Sequence, residues 1–490
     1  MTGAIMIQGT MSGAGKSLLT AALCRIFRQD GHSVAPFKSQ NMALNSYITP
    51  DGLEIGRAQA LQAEAAGIEP SALMNPVLLK PTTDVGSQVI VNGKVRGNMR
   101  AREYFSRKTE LIPDIRRAYE ILSSQYDIIV VEGAGSPVEL NLKKDDIVNM
   151  GLATMLEIPV LLVGNIDCGG VFAQLYGTFA LLEKHEQELV KGLIVNRFRG
   201  DISLFDDGIS ILEEKCGRPV IGVVPFVKHD LEDEDSLSSR LEKTRNSGVI
   251  DIAVIRLPKI SNFSDFDVFS KYEGVSVRYV TKPEELGEPD LLILPGTKST
   301  IADMEWMNRT GLSQEIKARA NYKFPVFGIC GGFQMLGETV SDPYGTECGG
   351  TAEGLGLLPS CRTVFHEEKT QLRTEGRFRD VTGFFSCLSG ASYYGYEVHM
   401  GKTEGSSKPL TDSGGYFNGN TAGCYVHGIF DSSEVSGALV KALYEAKGLK
   451  YNGAVSDRRK QREKDLDELA DTVRKSLDMD MIYKIIQEGV

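Results

Sequence analysis

The stretch Gly9–Ser17 is the feature that most constrains what this chain can fold into. It follows the apolar run Ala4–Ile7, which predicts a buried strand, and it precedes Leu18–Phe27, which predicts a helix. Strand, glycine-rich turn and helix together form the context of a phosphate-binding loop. Glycines let backbone N–H groups turn towards one point, beside the positive end of the helix. The sequence therefore predicts a nucleotide-binding α/β domain.

Five residues of this loop are candidate ATP ligands. Lys16 would bring a full positive charge to the phosphates, and Ser17 is placed to ligate Mg²⁺. The backbone at Thr10, Gly13 and Gly15 would complete the cradle. One residue more than in the common loop separates the first glycine from Gly15, which indicates a variant class of phosphate-binding loop.

Length and composition narrow the class of protein. A chain of 490 residues is expected to hold about three domain-sized units. A formal net charge of −11 without a basic cluster argues against a nucleic-acid partner, and no apolar run is long enough to span a bilayer. The 8 cysteines include no C-x-x-C pair, and the loop at Gly9 leaves no room for a signal peptide. We therefore expect reduced thiols and a cytoplasmic location.

The first half alternates short apolar strands with helical stretches, which is typical of a doubly wound parallel sheet. The further expected strands are Val34–Phe37, Ile128–Val131, Val160–Val163, Leu193–Val195 and Val220–Val224. Ligands of such sheets lie at the carboxyl ends of the strands. Glu132 follows one strand and is predicted to bind Mg²⁺. Asn196 follows another, where it could hydrogen-bond an adenine edge or form a turn at the strand end.

The region between the second strand and Glu132 is longer than a plain nucleotide-binding domain needs. It contains the polar segment Lys38–Asn41, the segment Met74–Pro81 and a predicted strand pair around Val89–Val95. We expect this inserted region to hold an acceptor substrate. The alternative is a purely structural excursion of the chain.

A dense run of charge at Lys228–Asn246 predicts a solvated linker. We place a domain boundary near Gly248, with a first domain over residues 1–247, a second over 248–445 and a helical tail over 446–490. The tail is expected to be a surface helix packed on the domain. A second series of strands predicts another doubly wound sheet, with members at Asp251–Arg256, Val275–Val280, Leu291–Leu294 and Val326–Ile329.

Residues 328–332 are the sharpest feature of the second half. They read G-x-C-x-G with Cys330 at the centre, the thiol counterpart of the G-x-S-x-G nucleophile elbow. A strand is expected to turn sharply into a helix here, so that the turn presents the thiol and the helix N-terminus favours its thiolate form. The N–H of Gly331 is a candidate oxyanion donor, and a second donor is expected near Gly296.

A thiolate nucleophile needs a base. His427 follows the apolar segment Gly423–Val426 and can face the elbow from a strand end, and His399 is its competitor. A Cys–His–acid arrangement is expected to have a carboxylate two residues after the histidine, but Ile429 stands there. Either another group orients the imidazole, or the site works as a dyad.

Both halves resemble known enzymes. The loop at Gly9–Ser17 resembles that of dethiobiotin synthetase, and the Cys330 elbow with a distant histidine resembles class I glutamine amidotransferases. The two features on one chain, in this order, resemble the cobyrinate amidases. Within that group the chain resembles the cobyric acid synthase family, through the segments Phe37–Met42, Met74–Pro81, Gly395–Gly401 and Tyr425–Phe430.

This resemblance implies a P-loop NTPase-like N-terminal sheet, a class I glutamine amidotransferase-like C-terminal sheet and a place in cobalamin biosynthesis. It implies ATP- and glutamine-dependent amidation of the b, d, e and g carboxylates of adenosylcobyrinic acid a,c-diamide, giving adenosylcobyric acid. Cys330 would be the nucleophile and His427 the base, in a family that lacks the usual third acid. That family commonly has Arg where this chain has Cys168. If the Arg holds phosphate or a substrate carboxylate, another cation must replace it.

Three alternatives stay open at this point. The nearest is the sibling enzyme that amidates the a and c carboxylates, cobyrinic acid a,c-diamide synthase. An amidotransferase acting on a cell-wall lipid is disfavoured, because the chain shows no membrane-facing amphipathic stretch. A non-enzymatic ATPase switch of the partitioning type would explain the phosphate loop but not Cys330. The expected partners are the small molecules glutamine, ATP and a corrinoid, and the sequence leaves the oligomeric state open.

Overall fold

The computed structural model describes residues 2–83, 86–227, 231, 248–320, 322–453 and 458–490. Nearly all of the predicted linker at Lys228–Asn246 lies outside the described residues. The described chain forms two large α/β sheets, with smaller sheets beside them. None of its helices is both long enough and apolar enough to cross a membrane.

The strands of the first half are β1 (Gly3–Gly9), β2 (Val34–Phe37), β3 (Gln40–Met42), β4 (Ser46–Ile48), β5 (Glu54–Gly56), β6 (Val77–Thr83), β7 (Gly86–Val91), β8 (Lys94–Arg100), β9 (Ile128–Glu132), β10 (Val160–Asn165), β11 (Val190–Phe198) and β12 (Val220–Pro225). Those of the second half are β13 (Ile250–Ile255), β14 (Val275–Val280), β15 (Leu291–Leu294), β16 (Val326–Ile329), β17 (Thr339–Asp342), β18 (Gly350–Glu353), β19 (Arg362–Arg377), β20 (Ser392–Glu404), β21 (Lys408–Thr411), β22 (Gly414–Asn418) and β23 (Thr421–Cys424).

The helices of the first half are α1 (Lys16–Gln29), α2 (Arg57–Ala66), α3 (Ala101–Arg107), α4 (Ile112–Gln125), α5 (Met150–Leu156), α6 (Val171–Leu181), α7 (Lys184–Leu189) and α8 (Asp206–Cys216). Those that follow are α9 (Pro283–Leu286), α10 (Thr300–Thr310), α11 (Leu312–Arg319), α12 (Gly331–Leu336), α13 (Ser433–Ala446), α14 (Arg458–Ser476) and α15 (Met479–Glu488).

A six-stranded parallel sheet forms the core of the first half, in the order β12-β11-β10-β1-β9-β2. Strands β9 and β10 are buried along their whole length. Because helices cover both faces of such a sheet, its central strands are continuous apolar runs, which is why they could be found in the sequence. The prediction of a doubly wound parallel sheet is confirmed.

A seven-stranded sheet forms the core of the second half, in the order β14-β13-β15-β16-β23-β22-β21. The first five strands run parallel, as predicted. Strands β22 and β21 add an antiparallel edge that the sequence analysis did not include. Strand β23 covers Thr421–Cys424, so it begins and ends two residues before the predicted segment Gly423–Val426. His427 therefore follows the end of the strand after a short turn.

Two four-stranded sheets connect the halves. The order β3-β6-β7-β8 lies in the inserted region, where β7 and β8 are the strand pair predicted around Val89–Val95. The order β18-β17-β19-β20 includes the long hairpin of β19 and β20. This hairpin reaches the inserted region, where Arg373 Nε donates to Ile48 O at 3.2 Å and Gln371 Nε2 donates to Glu54 Oε2 at 3.0 Å.

The tail helices pack on the first sheet rather than on the neighbouring second one. Leu466, Leu469 and Val473 of α14 are buried in the same apolar cluster as residues of β1 and α1. Polar contacts reinforce this packing, because the guanidinium of Arg25 binds Glu463 at 2.7 Å and Asp467 at 2.8 Å. The chain thus returns from the second half to the first.

Candidate active sites

Cys330 lies at the sharp turn between β16 and α12. Its backbone has φ 51° and ψ −111°, a region that costs a non-glycine residue about 1–3 kcal/mol. The N–H of Cys330 donates to Cys424 O at 2.9 Å, which anchors the turn to the adjacent strand. Gly332 lets α12 pack closely, because a Cβ there would lie 2.0 Å from Leu294 O. The turn therefore has the predicted geometry of a nucleophile elbow.

His427 faces the same cavity as Cys330. Its Nδ1 lies 2.7 Å from Asp265 Oδ2, and Asp265 Oδ1 accepts the N–H of Gly428 at 3.1 Å. Burial lowers the pKa of His427, but the carboxylate of Asp265 and the thiol group of Cys330 outweigh it and raise this pKa to about 10. With Nδ1–H directed at the carboxylate, Nε2 is left for the thiol.

Asp265 is the acid that the sequence analysis missed. It lies 162 residues before His427, in the 3-10 helix Phe263–Lys271 that follows β13, and its side chain is 4% exposed. Two alternatives were left open for His427, an orienting group or a Cys–His dyad. The structure places Asp265 as an orienting group. Ile429 stands at the usual position of the acid and is fully buried among apolar residues. The one signal in the sequence was an acid in the loop after a buried strand, at the carboxyl edge of the sheet.

His399 also lines this cavity, but both of its ring nitrogens are engaged elsewhere. Nδ1 lies 2.8 Å from Gly401 O, and Nε2 lies 3.1 Å from Glu397 Oε2. Its ring stacks on Tyr425 with the centroids 3.6 Å apart. The geometry therefore favours His427 over His399 as the partner of the thiol.

The two glycines predicted to form the oxyanion hole lie beside the Cys–His pair. A Cβ on Gly296 would lie 2.8 Å from Cε1 of His427, and a Cβ on Gly331 would lie 2.7 Å from Cγ2 of Thr297. The segment after β15 therefore passes against both the imidazole and the start of α12. The donation of these N–H groups to an oxyanion stays a prediction.

The phosphate-binding loop forms the predicted turn between β1 and α1. Gly13 and Gly15 have φ values of 72° and 93°, which only glycine adopts without strain. Lys16 Nζ donates to Met11 O at 3.0 Å and to Gly135 O at 3.1 Å, which holds its ammonium group at the loop. These features fit the phosphates of a nucleotide.

Glu132 and Ser17 form the candidate magnesium site. Glu132 is buried, and its carboxylate accepts hydrogen bonds from Lys38 Nζ at 3.0 Å and Gln62 Nε2 at 2.6 Å. Burial raises the pKa of Glu132, but Lys38, Gln62 and Ser17 together hold it below its usual range. An ionised carboxylate is the form that binds a hard cation.

The spacing of the two oxygens fits Mg²⁺. Ser17 Oγ lies 2.7 Å from Glu132 Oε1, close to the ~3 Å that separates adjacent ligands of an octahedral ion with bonds of about 2.1 Å. Among the described residues there is no group of three or more His, Cys, Asp or Glu able to hold a metal. A small number of protein ligands is what Mg²⁺ needs when phosphate oxygens and water supply its other ligands.

Asn196 and Thr10 are placed at the loop but make contacts within the protein. Asn196 Nδ2 donates to Ala14 O at 2.9 Å, and its Oδ1 accepts the N–H of Arg197 at 2.8 Å. Thr10 Oγ1 donates to Gln174 Oε1 at 3.2 Å. Asn196 thus braces the loop from the strand end, while its recognition of adenine and the nucleotide contact of Thr10 stay predictions.

Cys168 is exposed in a loop beside the phosphate-binding loop. Asn165 Nδ2 donates to Gly13 O at 3.2 Å, which ties the two loops together. The nearby Asp167 binds the guanidinium of Arg199, with Nε 2.6 Å from Oδ1. Arg199 therefore brings a cation next to the position at which the resemblance implies an Arg.

The inserted region lines a large cavity between the halves. This cavity has a volume of about 770 Å³. Tyr47 and Arg57 come from the inserted region, Arg373 and Tyr394 from the long hairpin, and Arg462 from α14. The role of the inserted region in holding an acceptor stays a prediction.

Both halves match known protein families. Residues 5–238 match the model of the CobQ/CobB/MinD/ParA nucleotide binding domain, and residues 251–435 match that of the CobB/CobQ-like glutamine amidotransferase domain. The chain is 54% identical to the cobyric acid synthase of Ruminiclostridium cellulolyticum, over 99% of this chain and 97% of that protein. The chain belongs to the cobyric acid synthase family.

Other relatives agree over their full length. The cobyric acid synthase of Lachnoclostridium phytofermentans is 53% identical over 100% of both chains, and that of Clostridium kluyveri is 48% identical over 98% of each. A member of the cobyric acid synthase family is a glutamine-hydrolysing amide ligase. The alternative of a non-enzymatic partitioning-type switch is therefore wrong.

Proposed function

We propose that the chain converts adenosylcobyrinic acid a,c-diamide to adenosylcobyric acid by amidating its b, d, e and g carboxylates with ATP and glutamine. The observation that carries this proposal is the presence, on one chain, of a Cys330–His427–Asp265 set and a phosphate-binding loop beside Glu132. The full-length similarity to cobyric acid synthases supports the choice of these four carboxylates over the a and c carboxylates.

In the glutamine-hydrolysing half, the Cys330 thiolate attacks the carboxamide carbon of glutamine. His427, held by Asp265, gives a proton to the departing nitrogen, and ammonia leaves. The remaining thioester is hydrolysed by water to glutamate, which frees the thiol. The N–H groups of Gly331 and the Gly296 segment stabilise the oxyanion formed in both steps.

In the synthetase half, Lys16 and the N-terminus of α1 hold the phosphates of the nucleotide. Ser17 and Glu132 offer the oxygens that bind Mg²⁺. Bound MgATP would supply the γ-phosphoryl group that activates a corrinoid carboxylate as an acyl phosphate. Attack by ammonia on that acyl carbon then releases phosphate and leaves the amide. Lys38, bonded to Glu132, brings a second cation to the same place.

The domain assignment follows from the placement of the two half-reactions in different halves of the chain. We propose that residues 1–247 form the synthetase domain and 248–445 the amidotransferase domain. The tail, 446–490, completes the synthetase core through α14 and α15.

An isotope experiment tests the activation step. Because phosphate-binding loops clamp the β- and γ-phosphates, we expect transfer of the γ-phosphoryl group rather than adenylation. With ¹⁸O in the substrate carboxylates, the label should appear in inorganic phosphate, with ADP as the other product. Recovery of ¹⁸O in AMP would show that the carboxylate is adenylated instead.

Asp265→Asn tests the positioning of His427. An amide cannot stabilise the imidazolium and favours the wrong tautomer, so we expect glutamine hydrolysis to fall about 10²–10⁴-fold. Amidation driven by ammonium chloride should persist, because the synthetase half is untouched. Glutamate release measures the first activity and amide formation the second.

The matched control is Asp267→Asn, on the same 3-10 helix. It should leave glutamine hydrolysis near the wild-type rate. If Asp265→Asn hydrolysed glutamine as fast as wild type, the site would work as a Cys330–His427 dyad.

A further inference from the structure

A cluster of largely buried side chains closes the Cys330 cavity on the side of the synthetase half. We name it the interdomain cluster, and its members are Glu54, Lys80, Gln88, Lys298 and Lys369. Glu54 accepts a hydrogen bond from Lys80 Nζ at 2.8 Å and another from Lys369. Lys298 Nζ donates to Gln88 Oε1 at 3.2 Å. All three lysines line the cavity that contains the thiol, so Glu54 stands directly behind its wall.

The environment of these lysines favours neutral ammonia over the ammonium ion. Burial lowers the pKa of Lys369 to about 7, with Lys80 and Lys298 lowering it further and Glu54 opposing them. The burial that favours the neutral form of a lysine amine also favours NH₃ over NH₄⁺, because a poorly solvated site disfavours the charged form.

Behind Glu54, helix α2 turns a polar face into the interior of the synthetase half. Gln59 and Gln62 are three residues apart on α2 and so share one face, and Gly56 is the residue just before the helix. Gln59 and Gln62 are 0% and 1% exposed. With a rise of 1.5 Å per residue, the six residue steps from Gly56 to Gln62 advance about 9 Å. At its far end Gln62 Nε2 donates to Glu132 Oε2 at 2.6 Å, beside the phosphate-binding loop.

Two polar atoms on this face lack a hydrogen-bond partner among the residues that the structure describes. They are Gln59 Nε2 and Gln62 Oε1. A buried polar atom without a hydrogen-bond partner destabilises the protein, so a polar molecule bound on this face would be stabilised. One free donor and one free acceptor complement ammonia, which both accepts and donates hydrogen bonds.

We propose that ammonia formed at Cys330 crosses between the halves at Glu54, passes Gly56 and moves along the Gln59–Gln62 face of α2 to Glu132. This route rests on the proposed function, because it joins the two half-reactions. Gly56 lies where β5 meets this face, and a Cβ there would lie 2.4 Å from both Asn41 Nδ2 and Gln59 Oε1, so only glycine fits beside these two side chains.

Labelling of the wild-type protein is the first test. The reaction is run with [amide-¹⁵N]glutamine, ATP, the corrinoid and an excess of unlabelled ammonium chloride. An enclosed route predicts that the product amides carry mostly ¹⁵N. Amides with the isotope ratio of the bulk ammonium would overturn the proposal.

Two variants test the residues of the route. Gln59→Met replaces the amide with an apolar chain of similar length, and Glu54→Gln removes the charge at the crossing. Both should keep glutamine hydrolysis and ammonium-driven amidation. The glutamate formed per amide should rise several-fold, and the ¹⁵N content of the amides should fall towards that of the medium.

Glu69→Gln is the matched control, because Glu69 also joins the halves, at 3.1 Å from Arg373, but is 73% exposed. It should keep wild-type coupling. Gln59 is fully buried and hydrogen-bonds Asn41 within the synthetase half, so its effect reports the route rather than the docking of the halves. Unchanged ¹⁵N content in Gln59→Met would overturn the proposal. If wild type fails to amidate the corrinoid even with ammonium, the proposed function fails instead.

Discussion

Cys330→Ser is expected to abolish amidation with glutamine while amidation with ammonium chloride continues near the wild-type rate. The hydroxyl of serine is a far weaker nucleophile than a thiolate, so glutamine hydrolysis should fall by about 10⁴-fold or more. The synthetase half should not respond, because Cys330 lies in the cavity of the other half. Glutamate release and amide formation, each measured with both nitrogen sources, give the result directly.

Cys387→Ser is the matched control for this variant. Cys387 is a half-buried thiol of the same half and does not line the cavity of Cys330. It should retain both activities. Equal loss of glutamine- and ammonium-driven amidation in Cys330→Ser would contradict the division into two sites.

Lys16→Met should abolish amidation with both nitrogen sources, yet leave glutamine hydrolysis measurable. Met keeps the length of the side chain but removes the charge that Met11 O and Gly135 O hold at the phosphate-binding loop. Loss of one preorganised charge at a transferring phosphoryl group should slow amidation by at least about 10²–10³-fold. ADP, amide and glutamate formation are measured in the same reaction.

Lys184→Met, on an exposed position of α7, controls for the loss of a lysine from the same half. It should behave as wild type. ATP-dependent amidation by Lys16→Met at the wild-type rate would show that the loop does not hold the phosphates. Cys330→Ser and Lys16→Met are therefore complementary tests. Cys330→Ser should remove only the glutamine-driven amidation, and Lys16→Met should remove amidation with both nitrogen sources.

The sequence predicts the parallel strands of the two large sheets well, because these strands are buried on both faces and appear as short apolar runs. It does not predict the long hairpin of β19 and β20. The residues of β19 are mostly exposed and follow no sustained alternation, so their pattern carries little information about a strand. The helices of the tail were expected from the sequence. The pattern of an amphipathic helix does not reveal which surface it packs on, and α14 packs on the first sheet.

The candidate sites show the same division between local and distant information. Cys330 and the residues of the phosphate-binding loop belong to short motifs whose spacing is visible in the sequence. Asp265 meets His427 only because the topology brings together residues 162 positions apart. Lys38 and Gln62 approach Glu132 in the same way, through separate elements of the inserted region. Such partners have no local pattern from which they could be predicted.

The most direct test of the proposed function is the mass of the corrinoid product. Adenosylcobyrinic acid a,c-diamide is incubated with the enzyme, MgATP and glutamine, and the products are followed by mass spectrometry. We predict four successive amidations, ending at adenosylcobyric acid. An unchanged a,c-diamide, together with cobyrinic acid that gains two amides, would contradict this function and identify the sibling activity on the a and c carboxylates.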